Sequence, residues 1–257
     1  MSNSPSPPKH ENYETTHAQK LSMPARYARL SEVAYSLPEE RVNKAAELNL
    51  TDLFEIDPRF NSRRFFLAKS KDSNLAVIVN RGTSLPYDPI SDLTTDGHIV
   101  VNQGFRDTAH YLNAKAFAKE VIETYGNTHK VITVGHSLGG TTSFILGNEL
   151  HIDSHSFNPG SSPLVAMKNM FEDGHNDFEF VSSFFRSNEE KLKGKNTFDR
   201  HYLYLTHGDI LAASAPFFKN KDGSDPEIYT NSPYQNRKPH DIENFFYAST
   251  GNSDIDW

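Results

Sequence analysis

The 257-residue sequence contains no cysteine. That absence excludes a disulfide framework, a thiolate nucleophile and a metal site with cysteine ligands. Basic residues are fewer than acidic ones: the sequence has 26 Lys and Arg and 33 Asp and Glu, which gives a net charge of -7. Such a balance argues against a protein that grips nucleic acid through a basic face, and against strong attraction to anionic lipid.

Long hydrophobic runs are missing as well. The longest are pieces such as Leu75–Val79, far below the roughly 18 apolar residues of a membrane-spanning helix. The first residues show no basic segment followed by an apolar stretch, so we predict no secretory signal, and a cytoplasmic location is favoured. Residues 1–21, rich in Ser and Pro, are expected to form a disordered leader, and residues 22–257 a single domain.

Short apolar runs alternate with helical patterns along the chain. Runs typical of buried strands are Leu75–Asn80, Lys130–Val134, His155–Phe157 and Tyr202–Thr206. Helices are predicted from Pro24 to about Pro38, Val42 to Leu50, Thr108 to Tyr125 and Thr141 to Leu150. This alternation predicts an α/β fold with a mostly parallel central sheet flanked by helices.

The connection from Arg81 to Gly104 is unusual. It is too interrupted by proline for a long helix and too apolar for an ordinary surface loop, with Leu85, Ile90 and Leu93 among its residues. Long connections of this kind are often functional lids.

The sequence Gly135-His136-Ser137-Leu138-Gly139-Gly140 contains the pattern G-x-S-x-G. A predicted strand leads into it and a predicted helix leads out, the setting in which a strained turn projects a serine hydroxyl above a sheet. Glycines on either side of the serine are needed because side chains there would collide with the neighbouring strand and helix. The pattern therefore predicts a nucleophilic serine, Ser137.

A serine hydroxyl needs a base to take its proton and an acid to orient that base. In proteins with this turn the order along the chain is Ser, then Asp or Glu, then His. Several aspartates follow Ser137, namely Asp153, Asp173, Asp177, Asp199, Asp209, Asp222 and Asp225. Asp209 is preferred because it comes just after a predicted strand, and sites in parallel sheets gather at the carboxyl ends of strands.

After Asp209 the chain has a single histidine, His240, which makes it the predicted base. His207 is the competitor, but it precedes the acid. An oxyanion would be stabilised by the backbone N–H of Leu138, the residue after the nucleophile. The second donor is expected from the segment after Leu75–Val79, where Thr83 can offer its N–H and its hydroxyl.

These motifs together resemble the class 3 lipase family, the fungal-type triacylglycerol lipases and their intracellular relatives. The resemblance spans roughly Tyr27 to Phe246. It is carried by Arg81-Gly82-Thr83, Asp92-Leu93-Thr94-Thr95-Asp96, Gly104-Phe105, the GHSLGG turn, an Asp after a later strand and a late His. The chain departs from the family in having Asn80 where Phe is usual and Asn102 where His is usual, which puts the pocket shape and the subfamily in question.

The resemblance implies an α/β-hydrolase fold and a catalytic triad of Ser137, Asp209 and His240, with Thr83 and Leu138 as the oxyanion hole. It implies a lid over residues 84–95 that makes transient contact with a lipid interface. The expected substrates are lipid esters, acylglycerols first, with no metal or organic cofactor. Phospholipase A1 activity, short-chain esterase activity and a catalytically idle lipase-like scaffold that binds lipid are the alternatives.

His151 and His155 lie four residues apart with Asp153 between them, a spacing that occurs in metal sites. No third ligand stands in register with them, so we do not predict a metal here.

Overall fold

The computed structural model describes residues 21–82, 108–160, 200–206, 224, 227–231, 238 and 241–246. The helices are α1 (Met23–Val33), α2 (Arg41–Glu47), α3 (Ala109–Tyr125), α4 (Leu138–Leu150) and a 3-10 helix (Ile242–Phe245). The strands are β1 (Phe54–Asn61), β2 (Phe65–Ser70), β3 (Leu75–Asn80), β4 (Lys130–His136), β5 (Asp153–Phe157), β6 (His201–Thr206) and β7 (Glu227–Asn231).

The strands form one seven-stranded sheet in the order in which they occur along the chain. β1, β2 and β3 pair antiparallel, whereas β3 to β7 all pair parallel. The carboxyl ends of the five parallel strands therefore lie along one edge of the sheet. Catalytic groups of α/β proteins are found at this edge.

The two faces of the sheet carry separate hydrophobic cores because successive side chains of a strand point to opposite faces. In β3, Val77 and Val79 join the core that packs against α1 and the 3-10 helix. Ala76 and Ile78 join the core that packs against α3 and α4. Burial on both faces explains the continuous apolar run of this strand.

The prediction of an α/β fold with a mostly parallel central sheet flanked by helices is confirmed. All the predicted elements are present, with some shifts of their ends. α1 ends at Val33, earlier than predicted, and the chain continues in turns closed by bonds such as Ser36 N–H to the Val33 carbonyl. α4 begins at Leu138 rather than Thr141, because the turn that contains Ser137 is tighter than expected.

The sequence analysis missed β1, β2, β7 and the 3-10 helix. β1 includes Pro58 and several charged residues, and its pairing with β2 contains a register shift. Proline is tolerated there because β1 is an edge strand of the sheet. Within the described residues, none of the helices is long and apolar enough to cross a membrane.

The predicted leader over residues 1–21 lies almost wholly outside the described residues, as does most of the connection from 81 to 104. The single-domain assignment remains a prediction.

Candidate active site

Ser137 occupies a strained turn between β4 and α4. Its backbone has φ 57 and ψ -127. The non-glycine residues of the described chain with positive φ are Asn49, Ser137, His151 and Asn158. Asn and His tolerate positive φ comparatively well, whereas serine does not, and such backbone strain costs on the order of 1–3 kcal/mol and gathers at functional sites.

The turn holds Ser137 by its backbone and leaves the residue partly exposed. The Ser137 N–H donates to the Phe157 carbonyl at 3.0 Å, and the Ser137 carbonyl accepts from the Thr141 N–H at 3.1 Å. Ser137 is partly exposed, while His136 and Leu138 on either side are buried. The geometry is that of a nucleophile elbow.

Two glycines allow this turn to close. A Cβ on Gly135 would stand 2.3 Å from the Gly139 carbonyl oxygen, and a Cβ on Gly139 would stand 2.2 Å from the Asn80 carbonyl oxygen. Both distances are far below a normal van der Waals contact. The sequence-based reason for the flanking glycines is therefore confirmed, and the end of β3 lies directly against the start of α4.

The contact between the end of β3 and the start of α4 lies beside Leu138, the first of the two predicted oxyanion residues. Leu138 opens α4, so its N–H is among those of the first turn that have no acceptor within the helix. A Cβ on Gly82 would stand 2.7 Å from the His136 carbonyl oxygen, which places the chain after β3 beside the elbow. Thr83, the next residue, lies outside the described residues, as does the proposed lid over residues 84–95.

The acid side of the site is approached by β6, which ends at Thr206. The Thr206 N–H donates to the Asn158 side-chain oxygen at 2.8 Å. Asn158 directly follows Phe157, the residue that accepts the Ser137 N–H. Asp209 lies outside the described residues, but the chain that leads to it is tied to the elbow.

The base side of the site is approached by the segment around His240. The Asp241 N–H donates to the Lys238 carbonyl at 3.0 Å, and the Asn244 side chain donates to the same carbonyl at 2.9 Å. The 3-10 helix that follows places the Phe245 ring 5.2 Å from the Phe157 ring. His240 lies outside the described residues, but the 3-10 helix that begins two residues after it packs against β5, whose Phe157 accepts the Ser137 N–H.

Glu32, in α1, interacts electrostatically with two acids of the segment that follows His240. Burial and the negative charges of Glu243 and Asp241, partly opposed by Lys44, raise its pKa to about 7. Asp241 and Glu243 come one and three residues after His240. Three carboxyl groups thus share the region between α1 and the 3-10 helix.

Three contributing residues escaped the sequence analysis. The Tyr35 hydroxyl bonds to His136 Nδ1 at 2.8 Å, and it lies 2.1 Å from where a Cβ on Gly82 would stand. Asn158 and Asn244 hold the segments that lead to Asp209 and away from His240. Tyr35 and Asn158 act through partners 101 and 48 positions away, so no local pattern could have identified them. Asn244 bonds to Lys238, six residues before it, in a segment without a recognisable motif.

His155 has a structural environment. Its Nδ1 bonds to the Tyr204 hydroxyl at 2.9 Å, and its ring stacks on Tyr202 with 4.6 Å between centroids. Burial lowers the pKa of His155 to about 3. Among the described residues no group of three or more His, Cys, Asp or Glu could hold a metal ion.

No protein-family model matches the chain, and no curated protein matches it. Among solved structures, the chain is similar to lipase II from Rhizopus niveus, with 16% identity, coverage of 79% of this chain and 77% of that one, and a TM-score of 0.39. It is similar to a mutant form of MDLA from Penicillium cyclopium, with 14% identity, coverage of 87% and 83%, and a TM-score of 0.42. A crystal structure described as a fungal lipase has 12% identity, coverage of 90% and 85%, and a TM-score of 0.41.

Proposed function

We propose that this chain is a serine hydrolase that cleaves carboxylic esters of lipids, with acylglycerols as the first candidates. The observation that carries the proposal is the strained turn at Ser137. The proposal is supported by the contacts that connect this turn to Gly82, the residue before Thr83, and to Thr206, three residues before Asp209. A serine held in such a turn at the carboxyl edge of a parallel sheet is positioned to attack a carbonyl carbon.

The proposed reaction proceeds through an acyl-enzyme. Ser137 Oγ attacks the ester carbonyl while His240 takes its proton, and the carbonyl oxygen becomes an oxyanion. His240 then returns the proton to the departing alcohol, which leaves the acyl group on Ser137. A water molecule, deprotonated by His240, attacks that acyl group, and the acid is released as Ser137 regains its proton.

The remaining groups stabilise charge in these steps. Asp209 orients His240 and stabilises the imidazolium that forms. The N–H of Leu138, together with Thr83, donates to the oxyanion, and each such donor is typically worth about a hundred- to a thousandfold in rate. Because Leu138 also begins α4, the partial positive charge at the helix start favours the same oxyanion.

Lipid esters are proposed over small soluble esters for two reasons. The first is the resemblance of the motifs to class 3 lipases. The second is the apolar composition of residues 84–95, which include Leu85, Pro86, Ile90 and Leu93 and are proposed to form a lid. A lid of this composition would favour contact with a lipid interface.

The test is hydrolysis of p-nitrophenyl esters from short to long acyl chains by the wild type and by Ser137→Ala. We expect activity that rises toward longer chains and is abolished in Ser137→Ala, with Ser73→Ala, a serine substitution at an exposed position, unchanged. Dispersed triacylglycerol and phospholipid vesicles would separate lipase from phospholipase A1 activity. A folded wild type without activity on any of these esters would overturn the proposal in favour of an idle scaffold.

A further inference from the structure

A buried asparagine joins the ends of two neighbouring strands at the catalytic edge. Asn158 follows β5 and is 0% exposed. Its side-chain oxygen accepts from the Thr206 N–H at 2.8 Å, its side-chain nitrogen donates to the Thr206 hydroxyl at 3.3 Å, and its own N–H donates to the Tyr204 carbonyl at 2.8 Å. These bonds extend the link between β5 and β6 beyond their last paired residues, Phe157 and Tyr204.

The backbone of Asn158 is strained at the same residue whose side chain contacts Thr206. Its φ is 39, in the left-handed region, where asparagine is the best tolerated residue after glycine. A bidentate side-chain contact with one residue, Thr206, offsets the strain. The combination indicates that the side-chain amide is placed specifically toward the end of β6.

The position of Asn158 connects two parts of the proposed triad. The residue before it, Phe157, accepts the hydrogen bond from the Ser137 N–H. Its partner Thr206 comes three residues before Asp209, and three residues span at most about 10 Å of chain. A shift of Thr206 therefore shifts the start of the segment that carries Asp209.

We propose that Asn158 is a positioning residue for the proposed triad acid: it fixes the end of β6 relative to the elbow, and thereby the point from which the chain leads to Asp209. This role rests on the proposed function. A misplacement of about 1 Å at a catalytic group can cost on the order of a hundredfold in rate. Asn158 acts through its bonds to the end of β6, at Thr206 and Tyr204.

Three variants separate this role from a general loss of stability. Asn158→Gly removes the amide but allows the positive φ, so the backbone is not strained further. Thr206→Val removes the hydroxyl that accepts a hydrogen bond from the Asn158 side chain, whereas Thr206→Ser retains a hydroxyl at this position. Asn148→Ala is the matched control, because Asn148 is a buried asparagine near the opposite end of α4 whose side chain donates to the Phe144 carbonyl.

We expect Asn158→Gly to lower kcat by about 10- to 100-fold with little change in KM, after correction for the fraction of protein that a fluorophosphonate labels. The acidic limb of the pH profile of kcat/KM should move to lower pH, because a histidine that loses its carboxylate partner has a lower pKa. Thr206→Val should show a smaller effect of the same kind that Thr206→Ser reverses. Asn148→Ala should lower thermal stability without moving the pH limb.

The deciding experiment is a double-mutant cycle between Asn158→Gly and Asp209→Ala. If Asn158 acts through Asp209, Asn158→Gly has almost no further effect on kcat in the Asp209→Ala background. An equal fold-loss in both backgrounds, in an enzyme whose Ser137 still labels, overturns the role and leaves the proposed function standing. A wild type that neither hydrolyses esters nor labels at Ser137 overturns both.

Hydrogen exchange provides a readout that does not depend on activity. Asn158→Gly should speed exchange of the Thr206 amide and of the peptide that contains Asp209, with the β3 and β4 amides unchanged. Unchanged exchange at Thr206 would overturn the positioning role whatever the activity.

Discussion

Gly139 packs directly against the carbonyl oxygen of Asn80, so that a Cβ on Gly139 would stand 2.2 Å from that oxygen. Through this contact the first turn of the helix after Ser137 meets the end of the strand before the proposed oxyanion residue, Thr83. The spacing between the first turn of α4 and the end of β3 is therefore set by a glycine that has room for nothing larger than hydrogen.

Gly139→Ala should push these two segments apart. We expect a loss of about 2 kcal/mol in the free energy of unfolding, as for other overpacked sites, and a fall in kcat of about a hundredfold. Gly140→Ala is the less crowded comparison in the same turn, because a Cβ there would stand 3.2 Å from the Gly135 and Phe157 carbonyl oxygens, and it should cost less than Gly139→Ala in both measurements. Urea unfolding and ester hydrolysis measure both effects, and equal behaviour of the two variants would contradict the account of the elbow.

Asn80 is predicted to stabilise the turn at Ser137, because its buried side chain links β3 to β4 and to α4. Its side-chain nitrogen donates to the hydroxyls of Thr133 and Ser143, each at 2.8 Å, and Ser143 in turn donates to the Gly139 carbonyl at 2.8 Å. We expect Asn80→Leu to lower the free energy of unfolding by about 2 kcal/mol, because buried polar groups lose a partner.

A double-mutant cycle with Ser143→Ala checks this prediction, using urea unfolding of the two single variants and the double variant. If Asn80 and Ser143 form one network, the loss of unfolding free energy in the double variant should differ from the sum of the two single losses by about 0.5 kcal/mol or more. Strictly additive losses would mean that the two residues stabilise the fold separately.

The sequence identified the elbow because the elbow is a local feature. Its glycines, its serine and the apolar strand before it fall within one stretch, and the structure places Ser137 and Leu138 as that pattern requires. Residue type and short spacing were sufficient there, since the steric constraint acts between neighbours in the chain.

The hydrogen bonds between residues far apart in the sequence could not be predicted in the same way. Asn158 bonds to a residue 48 positions later, and Tyr35 bonds to one 101 positions later. Their roles depend on which strands become neighbours, and no periodicity within the sequence encodes that. The β1–β2 hairpin was missed for a different reason, because β1 contains Pro58 and a register shift and its buried residues do not alternate.

Asn80 gives a different lesson. Its difference from the phenylalanine usual in the family that the motifs resemble put the pocket shape and the subfamily in question. The structure shows that Asn80 is 0% exposed and bonded within the sheet and to α4. A substitution seen in the sequence does not reveal which side of a strand it affects.

The pKa of Glu32 predicts a pH dependence of stability. It is raised from 4.5 to about 7, chiefly by burial and then by Glu243. The folded chain thus holds a proton that the unfolded chain has released, so this group makes the free energy of unfolding fall as the pH rises from about 4.5 to 7. Glu32→Gln should remove that fall and be more stable than the wild type at pH 8, by on the order of 1–2 kcal/mol.

Thermal unfolding between pH 4 and pH 8 tests this, with Glu55→Gln as the exposed control. We expect the Glu32→Gln variant and the wild type to converge at the acidic end. A Glu32→Gln variant that is less stable than the wild type at pH 8 would contradict the assigned environment.

Asp57 predicts the opposite dependence, at a site remote from catalysis. Burial alone would raise its pKa, but hydrogen bonds from Arg59 and Tyr125 and the charge of Lys69 hold the pKa well below its usual range. Its stabilising effect is therefore fully present above about pH 4 and is lost as the pH falls below that value.

Asp57→Asn should cost about 2 kcal/mol in the free energy of unfolding at pH 7, because a buried hydrogen-bonded charge is lost, and less at pH 3. The rate per labelled active site should stay unchanged. Urea unfolding at the two pH values measures the difference, and an equal cost at both would contradict the ionised state of Asp57.

The most direct test of the central claim is covalent labelling of the chain with a fluorophosphonate, followed by mass spectrometry of its peptides. We predict a single adduct, on Ser137, that forms much more slowly in His240→Ala and at the wild-type rate in His207→Ala. A folded chain that forms no adduct, or forms it on another serine, would contradict the assignment of Ser137 as an activated nucleophile.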